Sequence, residues 1–263
     1  MNILDKIVAN KREELKISKK LRPVEELKAS AFYHRKCISL TKSLRSNNNT
    51  RIIAEFKRKS PSKGWFTQIP SPDSIVKSYQ KHGAAAVSIL TDTEFFGGSL
   101  TDLEAGRKAL DCPILRKDFM IDEYQFHEAK AAGADVILLI AAILTPEEVE
   151  HFAKLAHELG MEVLLEIHSK EELNHICEEI DMVGVNNRDL KTFLVDINQS
   201  IELSKKIPDQ FIKISESGID SVATIRKLEE AGFEGFLLGE QFMKSEEPGR
   251  AFELFTRELN EIV

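Results

Sequence analysis

The sequence predicts one (β/α)8 (TIM) barrel over residues 46–263, preceded by an N-terminal helical extension over residues 1–45, and three observations carry that reading. First, the segments "KHGAAAVSIL", "AAGADVILLI", "ELGMEVLLEI" and "EAGFEGFLLG" share one plan, a helical stretch that closes on a glycine and then a short apolar run. A glycine just past a helix end takes the left-handed conformation that terminates it. Second, less regular copies of this unit bring the candidate strands to eight, and near-continuous apolar strands separated by amphipathic patterns imply a parallel sheet covered by helices. Eight such units in roughly 200 residues match the barrel. Third, no G-x-G-x-x-G follows the first strand, which counts against the alternative, an open doubly wound sheet.

Taken in order, the extension comes first. Ile3, Leu4, Ile7, Val8 and Leu15 lie at helical spacing, and Pro23 followed by "VEEL" starts a second short helix. Apolar periodicity fits either a plug over exposed barrel surface or a lid over the active site. The strands are then expected at 52–56, 86–90, 113–116, 136–140, 162–167, 182–186, 211–215 and 235–238. With 263 residues and 42% hydrophobic content the chain buries a full core.

Composition excludes several functions. The formal charge is 36 − 43 = −7, with no basic run, so neither nucleic acid nor an anionic membrane surface is an expected partner. The longest apolar run, 136–144, is too short to span a bilayer, and the N-terminus is too charged for a signal peptide, so a cytoplasmic protein is expected. Cys37, Cys112 and Cys177 are odd in number and lack metal-ligand spacing, which argues against a disulfide framework or a zinc site.

Barrel active sites form at the C-terminal ends of the strands, and here those ends are strongly polar. Strand one closes with Glu55 and Lys57, which share a face because residues i and i+2 of a strand do. Strand two offers Ser88, strand three Lys117 in "LRKDF", and strand five Glu166 in "LLEIH". Strand six offers Asn186 and Arg188 in "VNNRD", and strand seven Glu216 and Ser217 in "SESG". A single charged strand end is an ordinary rim ion pair; charges converging from six strands indicate a catalytic mouth. The last two strands suggest an anion site, because Gly218 and Gly239 let the backbone approach a ligand and a helix from about Ser221 presents free amides. Ser60 adds a hydroxyl to the same place, or is simply a turn residue before Pro61.

The segments "IIAEFKRKSPSKG", "AAVSILTDTEFFGGS", "PILRKDFMIDEYQ", "GADVILLIAAIL", "LLEIHSKEEL", "VGVNNRDL", "ISESGI" and "FLLGEQFM" together resemble the indole-3-glycerol phosphate synthase family along nearly the whole chain. The resemblance implies a decarboxylating, dehydrating ring closure on a small phosphorylated substrate in tryptophan biosynthesis, without metal or organic cofactor, by a cytoplasmic monomer. It implies Lys117 as the general acid on the ketone, Lys57 as dehydration acid with Glu55 as its base, and Glu166 stabilising or relaying protons during closure. By the same resemblance Asn186 holds substrate hydroxyls, Arg188 faces the anthranilate carboxylate, and Glu216 and Ser217 border the sugar chain. Phe96, Phe119, Leu90 and Leu138 wall the aromatic ring, while Ser60, Gly218, Gly239 and the backbone N–H of Glu240 hold phosphate. It also favours the lid over the plug.

Three rivals are weaker. Phosphoribosylanthranilate isomerase needs a cysteine near the end of strand one, where this chain has Glu55 and Lys57. A Schiff-base aldolase would use Lys117 as an amine nucleophile. An inactive sugar-phosphate binding module would keep Gly218 and Gly239 without needing Lys117 and Glu166, and both are present.

Overall fold

The computed structural model describes residues 2–69, 71–189 and 194–261. Eight parallel strands close on themselves: β1 (Ile52–Phe56), β2 (Ala86–Leu90), β3 (Ile114–Lys117), β4 (Val136–Ile140), β5 (Glu162–Ile167), β6 (Met182–Asn186), β7 (Ile212–Glu216) and β8 (Gly235–Leu238). Six match the sequence reading; β3 and β7 start and end one residue later than expected. The shift places Lys117 and Glu216 as the last residues of their strands rather than in the loops that follow. Gly83, Gly133, Gly160 and Gly232 close the helices before β2, β4, β5 and β8 with φ of 88, 92, 75 and 89°, as the repeated plan requires.

Two apolar layers hold the barrel. Ile53, Leu115, Val136, Leu138, Leu164, Met182 and Ile214 fill its interior. The alternate residues, such as Ile52, Val87, Ile114, Ile137 and Val183, face the surrounding helices. One connection departs from the expected amphipathic helix. After β5 the chain forms only a 3-10 turn, Glu171–His175, in which the Glu172 carboxylate accepts from the backbone N–H of His168 at 2.6 Å.

The extension runs past the barrel from one end to the other. Helix α1 (Ile3–Leu21) starts with a reciprocal cap between Asn2 and Asp5 and buries the stripe Ile7, Lys11, Leu15. A lysine in a buried stripe needs partners: Lys11 reaches Asp92 and Asp118, each at 3.1 Å, in the loops after β2 and β3, at the C-terminal end of the barrel. Helix α2 (Val24–Lys28) buries Leu27 in a cluster with Tyr33, Tyr124 and Ala131 outside the barrel. Helix α3 (Leu40–Leu44) then closes the opposite end: Leu40 and Leu44 join the interior layer, and Glu162 at the start of β5 accepts from the Leu40 and Thr41 N–H groups at 2.8 and 2.9 Å. Lid and plug are therefore not alternatives. Different helices of the extension occupy the two positions.

Candidate active site

The C-terminal ends of the strands surround a cavity of about 610 Å³, and every candidate residue named from the sequence except Ser88 lines it. Ser88 lies beneath, a fully buried hydroxyl beside Glu55 in the strand register. Phe96 and Phe119, from the loops after β2 and β3, lie 5.9 Å apart between ring centres and form an apolar wall with Leu90 and Leu138. Ile3, Leu4 and Ile7 of α1 complete that wall from above.

The charges line the same cavity. Lys57 Nζ meets Glu55 Oε1 at 2.7 Å, the contact expected of strand residues two apart. Lys117 Nζ lies between Glu166 Oε2 at 2.7 Å and Glu216 Oε2 at 3.2 Å. Two glycines make room for these carboxylates. A Cβ at Gly184 on β6 would lie 2.3 Å from Glu216 Oε1, and one at Gly239 would lie 2.5 Å from the Cβ of Glu55. Gly239 was read as a place for ligand to approach the backbone; its closest constraint is the packing of Glu55.

Burial and charge set the protonation states. Burial opposes the Lys117 ammonium, but Glu166, Glu216 and Glu55 outweigh it and hold its pKa above the usual lysine range. Burial works against the Glu166 carboxylate too, yet Lys117 and His168 keep it ionised, well below its ordinary value. Glu216 goes the other way: burial pushes it up to about 7 despite Lys117, with Glu166 and Glu55 adding repulsion. A fixed cation thus sits between one firmly ionised carboxylate and one that exchanges its proton near neutrality.

The β7 and β8 ends carry the candidate anion site. Ser217 and Gly218 take successive left-handed conformations, φ 67 and 69°; such a φ is uncommon for serine and turns the backbone sharply at the cavity edge. Helix α9 (Val222–Glu230) starts where expected, but the Ser221 hydroxyl caps it by accepting from the Thr224 N–H at 3.2 Å, so that amide is not free. Ser60 is buried in a two-residue hairpin pairing with Gly64. Glu240 opens the short helix α10 (Glu240–Met243), and its carboxylate is held by Lys63, by Lys244 at 2.7 Å and by Arg188 at 3.4 Å. Lys244 and Lys63, with Lys57, hold it at about 2 against burial. Arg188 accordingly points toward β8 rather than toward the Phe96–Phe119 wall. Asn186 donates to Glu166 Oε1 at 3.1 Å and accepts from the Arg188 N–H at 3.0 Å.

Sequence reasoning missed Lys63, Lys244, Asp118 and His168. Lys63 and Glu240 are 177 positions apart, and only the closed barrel joins them; "LLEIH" did carry a signal for His168, two residues beyond Glu166 like Lys57 beyond Glu55.

A closed parallel barrel with paired amines and carboxylates and an aromatic wall at its mouth defines a (β/α)8-barrel enzyme. More narrowly, the chain belongs to the indole-3-glycerol phosphate synthase family, whose model matches residues 4–255. It is 49% identical over 256 residues to the indole-3-glycerol phosphate synthase of Bacteroides thetaiotaomicron, covering 97% of this chain and 98% of that one. Among solved structures, it resembles in fold the tryptophan synthase subunit alpha of Legionella pneumophila, with TM-score 0.61 and 14% identity over 84% of this chain and 95% of that one. It likewise resembles a thiamine phosphate pyrophosphorylase from Pyrococcus furiosus, with TM-score 0.60 and 13% identity over 86% of this chain and all of the other, 100%.

Proposed function

We propose that the protein converts 1-(2-carboxyphenylamino)-1-deoxyribulose 5-phosphate to indole-3-glycerol phosphate, carbon dioxide and water, as a step of tryptophan biosynthesis. The observation that carries the residue assignments is Lys117 held at 2.7 and 3.2 Å by Glu166 and Glu216 in the cavity that Phe96 and Phe119 also line. With the substrate ring on that wall, the ring carbon bearing the carboxylate attacks the ketone, and Lys117 meets the oxyanion that forms. Its ion pairs keep the ammonium from losing its proton until the far more basic alkoxide appears; the same pairing disfavours the neutral amine that a Schiff-base mechanism needs. Loss of carbon dioxide returns the electron pair to the ring. Lys57 then protonates the new hydroxyl, which leaves as water, and Glu55, at 2.7 Å from Lys57, takes the balancing proton. Glu166 and Asn186 orient Lys117 and the substrate hydroxyls, and Glu216 and Ser217 border the sugar chain.

The phosphate lies in this reading against the backbone of Ser60, Gly218, Gly239 and Glu240, with Arg188 beside them. Residues 1–45 act with the barrel, residues 46–263, as one catalytic unit, α1 covering bound substrate. In this reading it acts in the cytoplasm as a monomer without metal or organic cofactor; no described helix is long and apolar enough to cross a membrane. The test mixes purified protein with the carboxyphenylamino substrate and follows indole fluorescence; no indole-3-glycerol phosphate at micromolar protein refutes the proposal. Borohydride trapping of a Lys117 adduct would refute the role given to that lysine.

A further inference from the structure

The ends of β1 and β5 carry the same short pattern, a glutamate followed two residues later by a basic side chain: Glu55 with Lys57, and Glu166 with His168. In both, the basic atom reaches the carboxylate it follows, at 2.7 Å for Lys57 and 3.1 Å for His168 Nε2. The two differ in place. Lys57 lines the cavity, whereas His168 lies behind Glu166, its side chain 10% exposed and outside the cavity wall.

From behind, His168 is itself fixed. Its Nδ1 lies 3.5 Å from Glu172 Oε2, its N–H donates to that same oxygen at 2.6 Å, and its carbonyl accepts from Gln199 Nε2 at 3.0 Å. The ring nitrogens approach both carboxylates off the direction of a regular hydrogen bond, so the contacts act as charge pairs. On Glu166 the oxygens divide: Oε1 faces His168 and Asn186 Nδ2, each at 3.1 Å, and Oε2 faces Lys117 at 2.7 Å.

We propose that His168 is a positioning residue for the reaction, an imidazolium that clamps Oε1 of Glu166 from behind and so commits Oε2 to Lys117. The inference rests on the role given to Glu166 above. The charged groups facing His168 are Glu166 from β5 and Glu172 from the 3-10 turn, with Lys117 and Glu216 beyond Glu166; α8 (Ile197–Ser204) contributes only the neutral Gln199 amide. Burial disfavours the imidazolium, but the two carboxylates outweigh it and raise its pKa to about 9, so it is charged through the neutral range.

The test is His168→Gln, which keeps a donor and removes the charge. An opposite charge within about 4–6 Å lowers a carboxyl by roughly 1 to 3 units, so the acidic limb of the kcat profile is expected to move up by about one pH unit, with KM changed less than about two-fold. The wild-type loss of rate as pH rises through about 9 should vanish in the variant. Superimposable kcat profiles from a folded variant overturn the proposal. Should that variant not fold, Glu172→Gln loosens the anchor from the other side and is expected to shift the acidic limb the same way; an unmoved limb is equally fatal. NMR titration of His168 in the wild-type protein gives a reading free of activity: a midpoint near 9 supports the clamp, and one near the ordinary 6.5 overturns it. Glu166→Gln separates the two claims, since wild-type turnover there refutes the role of Glu166 while the His168 midpoint still reports whether the clamp exists.

Discussion

Replacing Lys117 with alanine removes the cation between Glu166 and Glu216 and tests both the chemistry and its electrostatics. Loss of a general acid typically costs about 10²- to 10⁴-fold in rate. The stability cost follows from what is stranded. Breaking a buried ion pair costs about 3–5 kcal/mol when the remaining charge has no escape, but Glu166 still faces His168 at 3.1 Å and can also take a proton, so protonation sets an upper bound. From its ordinary value of 4.5, protonation costs about 3 kcal/mol at pH 7 and about 1 kcal/mol at pH 5.5, at about 1.4 kcal/mol per unit. Glu216, already near 7 in the intact protein, adds little. The sign is that of a carboxyl raised on folding: no penalty below about 4.5, and a penalty that grows with pH until the folded pKa is passed. The variant should therefore be destabilised by at most about 3 kcal/mol at pH 7 and recover about 2 kcal/mol of that at pH 5.5. Urea unfolding at the two pH values and indole fluorescence per folded site measure both effects. A rate above about a tenth of wild type sinks the general-acid role, and a pH-independent destabilisation sinks the electrostatic account.

Gly239→Ala should cut turnover strongly while lowering stability by about 1–3 kcal/mol, because the new methyl meets Glu55 where neither backbone can yield; unchanged kinetics would show that Glu55 need not hold its place. Leu44→Ala should lower stability by about 2–5 kcal/mol with kcat and KM per folded site intact, since Leu44 is buried at the base of the barrel, away from the mouth. Deleting residues 2–21 should raise KM and slow turnover, because Ile3, Leu4 and Ile7 leave the cavity wall; an unchanged KM and rate per site refute the lid. Inorganic phosphate should compete with substrate and, in a crystal, sit at the amides of Gly218 and Gly239; anions gathered elsewhere would reverse the proposed substrate orientation.

The barrel was legible in the sequence because its signals are local. A glycine closing a helix and an apolar run after it sit within ten residues, and the four clearest repeats hold in the structure. The candidate residues were legible for a related reason, since the fold gathers strand ends and a list of strand ends becomes a list of neighbours. What escaped depended on distant partners. Lys11 reads as the solvated side of an amphipathic helix until Asp92 and Asp118 are brought over it. Nothing local shows that Lys63 and Lys244 neutralise the Glu240 carboxylate. Helix α3 spans five residues, too few for a period to declare which face is apolar. Plug and lid were weighed as rivals because nothing local tells that one extension visits both ends.

That α1 precedes the loops it packs against has a bearing on how the protein is made. On a ribosome α1 emerges before anything it packs against: the Lys19–Asp122 contact alone joins residues 103 apart, and Asp92 and Asp118 must also appear before Lys11 has a counter-charge. The newborn chain therefore carries α1 without its counter-charges until the loops after β2 and β3 have emerged. Those ion pairs hang the roof of the site on the first half of the barrel.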